Sequence, residues 1–171
     1  QRDGYVTMFS SNGQSILARS RDLGMGASAL VAYDADKVPG DDYVLVGTSY
    51  GHIGINENSQ GQIHCLQASD LSNVWSASVD TLGGNARSFG ISGLLVADVD
   101  GLSEGPELVV TTLDGGLYVY AFSTTGLGTM LYGRKFYGSL GCYNSIRFDS
   151  KQGVLTVAGS MGLRRFESTK L

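Results

Sequence analysis

The sequence repeats itself about every 64 residues, and this period constrains the fold more than any other feature. Residues 31–51 align with residues 95–116, which contain one extra residue. The aligned pairs are Asp34 with Asp98, Asp36 with Asp100, Asp42 with Glu107, and Gly51 with Gly116. A weaker third copy covers residues 146–166, and residues 3–13 resemble residues 114–126, so the chain begins inside a repeat. Such repeats form units that bury their apolar faces against neighbouring units.

Each unit has the same order of strand-like segments. A strand ends in an acidic turn, a buried apolar strand follows, and a glycine turn leads to an alternating strand and then a fourth strand. Residues 116–123 show the period-two pattern of a strand, and residues 73–79 read as an outer strand. The 25 glycines, about 15% of the chain and roughly twice the usual share, fall at the turns. With no amphipathic helix, the pattern predicts an all-β fold of four-stranded antiparallel β-propeller blades.

The predicted propeller is incomplete. Residues 1–28 are assigned to the end of one blade and the start of the next, residues 29–92 and 93–143 to two blades, and residues 144–171 to a partial blade. The chain therefore supplies about 2.7 blades, whereas propellers close with about four to eight. We expect it to be a segment of a longer polypeptide, or to be completed by other copies or by a partner chain.

Residues 96–120, VADVDGLSEGPELVVTTLDGGLYVY, resemble an FG-GAP or VCBS repeat, the blade of integrin-α-like propellers. The matching features are the D-x-D-G turn, the strand that begins Glu-Leu-Val-Val, and the D-G-x-L-x-V-Y strand. Residues 31–55 show the same likeness less fully, and residues 63–75 are more similar to a quinoprotein-type blade, whose outer strand ends in tryptophan. The resemblance implies a β-propeller, an architecture that hosts enzymes, lectins, receptors and scaffolds.

In the resembled family the acidic turn is often a calcium loop. Asp98, Asp100 and Glu107 occupy its first, third and closing positions, with Gly101 at the bend, and oxygen ligands of this kind suit calcium. The turn departs from the family pattern at Leu102, where a further ligand is expected, and is one residue longer. The resemblance thus implies a calcium site formed by Asp98, Asp100 and Glu107.

An alternative interpretation of the acidic turns needs no metal. The side chains of Asp34, Asp98 and Asp149 would accept backbone hydrogen bonds and shape the turns between strands, as Asp commonly does. Both interpretations remain open from the sequence.

The sequence contains no recognisable catalytic motif. Its two histidines, His52 and His64, lie outside any metal-binding or nucleophile motif and read as structural residues. The acidic pair at residues 41–42 falls in a repeated turn, and one tryptophan is too few for a quinone-binding propeller. We therefore predict that the chain is not an enzyme.

Composition narrows the classes of partner. A net charge of −4 without a cluster of basic residues argues against nucleic acid, and no apolar run is long enough to span a membrane. Cys65 and Cys142 are either free thiols or a disulfide. Eight aromatic residues could form a sugar- or peptide-binding face or pack between blades: Tyr5, Phe9, Tyr118, Tyr120, Phe122, Phe136, Tyr137 and Tyr143.

The function predicted from these features is a non-catalytic binding, adhesion or structural assembly module. It would belong to a larger secreted or surface-exposed β-propeller protein whose partners are other protein chains or further blades. Two alternatives are part of a quinoprotein-like or other propeller enzyme, and a carbohydrate-binding propeller lectin.

Overall fold

The computed structural model describes residues 4–34, 42–49, 61–79, 90–102, 105–136, 143–160 and 162–168. These residues form strands and turns and contain no α-helix, so the predicted all-β fold is confirmed. The strands are β1 (Thr7–Phe9), β2 (Ile16–Arg19), β3 (Gly26–Asp34), β4 (Asp42–Ser49), β5 (Gln62–Gln67), β6 (Asn73–Ser78), β7 (Ile91–Ala97), β8 (Glu107–Thr112), β9 (Gly116–Ser123), β10 (Gly126–Lys135), β11 (Tyr143–Asp149), β12 (Val154–Gly159) and β13 (Gly162–Glu167). Asp36, Asp41, Gly51, His52, Tyr137 and Cys142 lie outside the described residues.

The strands form four antiparallel sheets. Strands β3–β6 and β7–β10 each make a four-stranded sheet in which neighbours in sequence are neighbours in space. Strands β11–β13 make a three-stranded sheet, and β1–β2 make a two-stranded one. The first strands β3, β7 and β11 lie side by side, as the inner strands of propeller blades do. The prediction of four-stranded propeller blades is therefore confirmed.

The sheets are held together by apolar side chains, which point from both faces of each of the two four-stranded sheets. Between the β3–β6 and β7–β10 sheets, Leu45 and Ile63 pack with Leu108 and Val110 of the next blade. On the opposite face of β8, Val109 joins a second cluster with residues of the β11–β13 sheet. Alternate residues of β8 thus pack against two different neighbouring sheets, as the period-two geometry of a strand requires. This explains why β8 is buried along its whole length.

The predicted aromatic residues mostly pack between blades. The ring of Phe122 lies 5.3 Å from that of Tyr33 and 6.2 Å from that of Trp75, both in the neighbouring blade. Tyr118, Tyr120 and Phe136 are also buried. Of the others, Tyr5 and Phe9 are exposed, and neither Tyr137 nor the side chain of Tyr143 is among the described groups.

Each inner strand carries a β-bulge at the equivalent position. The pairing registers of β3, β7 and β11 skip Ser28, Ser92 and Asn144 respectively. The Ser28 hydroxyl directs its hydrogen towards the carbonyl oxygens of Gly47, at 3.0 Å, and Ile91, at 2.6 Å. Ser28 therefore links two adjacent blades where the strands bend.

Cys65 is a buried free thiol that packs between the β3–β6 and β7–β10 sheets. Burial raises the pKa of this thiol to about 11, so it is uncharged at neutral pH. Among the described residues there is no helix with the length and apolarity needed to cross a membrane.

Gly47 allows two blades to approach closely, and this predicts the effect of substituting it. A Cβ atom at Gly47 would overlap the side chain of Ile91, a fully buried residue of the next blade. We expect Gly47→Ala to lower the free energy of unfolding by about 1–3 kcal/mol through overpacking. Gly126→Ala is the matched control, because a Cβ atom there meets nothing within 4 Å. Equal urea midpoints for the two variants would contradict this account of the packing between the blades.

Candidate metal centre

The three predicted calcium ligands come together in the turn between β7 and β8. Asp98 directly follows β7, Asp100 lies in the turn, and Glu107 is the first residue of β8. Each offers a carboxylate oxygen, and these oxygens lie within 4.8 Å of one another. Asp98 is exposed, Asp100 is half-buried and Glu107 is fully buried. The turn thus brings together three carboxylates that range from exposed to fully buried.

The turn is shaped by hydrogen bonds from the backbone to its own aspartates. The amide of Gly101 donates to Oδ1 of Asp98, and that of Leu102 donates to Oδ1 of Asp100, both at 2.8 Å. Gly101 has a φ of +62°, which suits glycine at the bend. At the end of β11, Asp149 likewise accepts a hydrogen bond from the amide of Lys151 at 3.1 Å. The metal-free role predicted for Asp98 and Asp149 is therefore present.

Glu107 is harder to explain as a turn residue alone. Its Oε2 accepts hydrogen bonds from the amides of Val99, at 2.7 Å, and Asp100, at 3.4 Å. Its Oε1 is buried and has no hydrogen-bond partner. Burial raises the pKa of Glu107 against the opposing effect of the two amides, and the charges of Asp100 and Asp98 raise it further. A carboxylate oxygen in this position lacks the compensation that buried charge needs.

The residues fit a hard divalent cation. A bound calcium ion would give Oε1 of Glu107 the partner it lacks and would offset repulsion among the three carboxylates. Asp98 and Asp100 would approach it from the solvent side, where water can complete the coordination shell. Leu102, at the position where a fourth side-chain ligand was expected, is 85% exposed and offers no ligand atom.

Replacing Glu107 tests this site. Because the pKa of Glu107 is raised, its ionisation destabilises the calcium-free protein, and stability is lost as pH rises through this pKa. We expect Glu107→Gln to melt higher than the original chain without calcium and to show no shift with calcium. At ten times its Kd, calcium should stabilise the original chain by about 1.4 kcal/mol, a rise in Tm of about 3–6 °C.

The matched control is Asp149→Asn, which changes an aspartate in an equivalent turn that lacks a carboxylate cluster in the described structure. This variant should keep the calcium response. A calcium-dependent rise in Tm that survives in Glu107→Gln, or no rise in the original chain, would remove the metal site.

His64 lies on β5 and is almost fully buried. Its Nδ1 is 2.9 Å from the hydroxyl of Ser76, which donates its own proton to Oδ1 of Asn73. The His64 ring must therefore donate to Ser76, so this pair is not a base poised to activate a nucleophile. Burial lowers the pKa of His64, and the charge of Arg21 lowers it further.

This lowered pKa predicts how stability depends on pH. His64 stays neutral in the folded protein at a pH where it is protonated in the unfolded chain, so its contribution to stability falls as pH drops through about 6.5. We expect urea midpoints to decrease between pH 7.5 and 5.5, and the decrease to be smaller in His64→Gln. An NMR titration of the His64 ring with an unshifted or raised pKa would refute this.

A further group of residues that the sequence analysis did not single out lines a groove along the inner strands. The groove has a volume of about 300 Å³, and its walls include Ser28, Ser92 and Ser145, one from each inner strand. Its lining contains no ionisable side chain. The sequence offers only a partial signal: Ala-Ser-Ala at residues 27–29 and Ile-Ser-Gly at residues 91–93 place a serine at the bulge, whereas in Tyr-Asn-Ser at residues 143–145 the serine follows it.

No protein-family model and no curated protein sequence matches the chain. Solved structures do resemble it. The Mala s 1 allergen of Malassezia sympodialis matches with a TM-score of 0.66 and 12% identity, over 96% of this chain and 54% of that one. The rhamnogalacturonan lyase YesW matches with a TM-score of 0.60 and 16% identity, over 99% of this chain and 35% of that one. The exotype rhamnogalacturonan lyase YesX matches with a TM-score of 0.58 and 13% identity, over 99% and 34%.

The chain thus spans about half of Mala s 1 and about a third of each lyase. At these identities the likeness establishes the fold alone, and it supports the propeller-like all-β architecture without singling out the FG-GAP or VCBS type. The prediction that the chain is not an enzyme is contradicted, because two of the similar structures are lyases. The absence of a catalytic motif in one segment was not sufficient ground for it, since a similar segment makes up a third of each lyase.

Proposed function

We propose that this chain is a calcium-stabilised segment of an extracellular β-propeller of FG-GAP or VCBS type, which acts as a protein-binding and assembly module. The observation that carries the proposal is the difference between its inner and end sheets. The two middle sheets have four strands, whereas the end sheets have two and three. Strand β1 and strand β13 each have a paired neighbour on one side in the described structure. Such edges are ready to pair with strands from another chain or another part of the same protein.

The β1–β2 sheet also exposes apolar side chains. Phe9, Ile16 and Leu17 are 54%, 63% and 61% exposed. Phe122, which aligns with Phe9 in the sequence repeat, is buried against the neighbouring blade. Exposed apolar groups beside an unpaired strand edge favour a protein partner there.

The carboxylates of the β7–β8 turn support the calcium part of this proposal. Extracellular modules bind calcium with dissociation constants of about 10⁻⁴–10⁻³ M, which suits a site with few side-chain ligands. An extracellular location is consistent with this range and with the FG-GAP resemblance.

Assembly is tested by the mass of the chain in solution. We expect the 18.0 kDa chain to associate at tens of micromolar in sedimentation velocity, because its end sheets are open. Leu17→Lys should shift the distribution towards the monomer by placing a charge on the β1–β2 sheet. Leu102→Lys, at an exposed turn leucine away from the end sheets, is the control and should associate like the original chain. A stable monomer at all concentrations would contradict the assembly role.

A second candidate function is part of a polysaccharide-degrading enzyme. The likeness to YesW and YesX supports it, at the level of the fold. Incubating the chain with rhamnogalacturonan and following polymer length by size-exclusion chromatography provides the test. Shortening of the polymer would favour this candidate over the assembly module.

A further inference from the structure

The face of the β11–β13 sheet that points away from the β7–β10 sheet differs in polarity from the corresponding faces of the other blades. Strand pairing aligns one central row of residues across the first three strands of each blade. The rows are Val31, Leu45 and Cys65 in β3–β5; Leu95, Val109 and Val119 in β7–β9; and Arg147, Thr156 and Arg165 in β11–β13. The first two rows are apolar and pack against the next blade. The third row consists of two arginines and a threonine.

This row, with the residues around it, forms what we call the arginine face. Arg147 and Arg165 are both exposed, and neither forms an ion pair in the described part of the chain. A further apolar blade does not suit this face, because covering two guanidinium groups without partners carries a large desolvation penalty. A strand added along the edge of β13 would leave the face open. This row is therefore cationic where the corresponding rows of the other blades are apolar, and its charges suit a polar occupant.

The arginine face contains a cavity of about 450 Å³. Strand β12 separates the two arginine-bearing strands, so their Cα atoms stand about 10 Å apart and flank Thr156. Asp149 and Gln152 lie on the wall, and Leu163 contributes an aliphatic surface that is 65% exposed. The cavity thus combines two cationic groups with an anionic acceptor, an amide, a hydroxyl and an apolar patch.

These groups select the chemistry of a ligand. Arginine binds a carboxylate through two parallel hydrogen bonds, so Arg147 and Arg165 favour a ligand with a carboxylate. Asp149 accepts hydrogen bonds and repels negative charge, so it favours a ligand with hydroxyl donors beside that carboxylate. Leu163 suits the C–H face of a ring. An acidic peptide side chain or a phosphate satisfies the arginines but offers no hydroxyl donors to Asp149.

We propose that the arginine face binds an acidic saccharide, with a sugar carboxylate held between Arg147 and Arg165 and sugar hydroxyls bonded to Asp149 and Gln152. Thr156 forms the floor of the site. The proposal is independent of calcium binding and of assembly through the end sheets. It assigns this face of the β11–β13 sheet to ligand binding rather than to blade packing.

The experiment is a set of NMR titrations of the full chain with D-glucuronate, D-glucose, succinate and inorganic phosphate. We expect D-glucuronate to bind in the millimolar range and to shift amide resonances of β11–β13. D-Glucose lacks the carboxylate and succinate and phosphate lack ring hydroxyls, so each should bind at least about tenfold more weakly. Equal binding of succinate or phosphate would reduce the site to a general anion site and overturn the proposal, as would the absence of glucuronate binding.

Variants locate the site. Arg147→Ala and Arg165→Ala should each weaken glucuronate binding about tenfold or more, since each removes charge-assisted hydrogen bonds. Arg165→Lys should recover little, because lysine cannot form the paired hydrogen bonds of arginine. Arg134→Ala removes an exposed arginine of β10 and should bind like the original chain. An unchanged Tm in the two exposed-arginine variants would establish that they fold, and unchanged glucuronate binding in them would refute the proposal.

Discussion

The structure depends on the need to bury both faces of its two four-stranded sheets. Strand β8 shows the constraint most clearly, since Leu108 and Val110 pack to one side and Val109 to the other. A sheet of this kind cannot be stable alone in water, because both of its apolar faces would be exposed. The blades therefore stabilise one another in series. Gly47 and the bulge at Ser28 follow from the same constraint, since both let adjacent blades come close where their inner strands converge.

In the acidic turn, a carboxyl group is buried within this apolar packing. Glu107 occupies a fully buried position at the start of an otherwise apolar strand. The backbone amides of Val99 and Asp100 compensate one of its oxygens and leave the other without a partner. A residue chosen for stability alone would be apolar or amide there. The presence of this buried carboxylate beside Asp98 and Asp100 is the reason we propose a cation at this turn rather than a purely structural bend.

The series of blades does not end in the same way on its two sides. The β1–β2 sheet exposes apolar groups, whereas the arginine face of the β11–β13 sheet exposes charge. We propose a protein partner for the first surface and a polar ligand for the arginine face.

Local sequence patterns determined the strands, the turns and the repeat, because strand periodicity and turn chemistry depend on residues within a few positions of one another. They also located Asp98, Asp100 and Glu107 in one turn. The tertiary structure alone decided that Glu107 is buried with an unpartnered oxygen, since burial depends on the neighbouring blade rather than on the turn. It likewise decided that Arg147, Thr156 and Arg165 share a row, because that alignment depends on the pairing of β12 with both of its neighbours. Sequence periodicity shows that a strand has two faces, but only packing determines what each face meets.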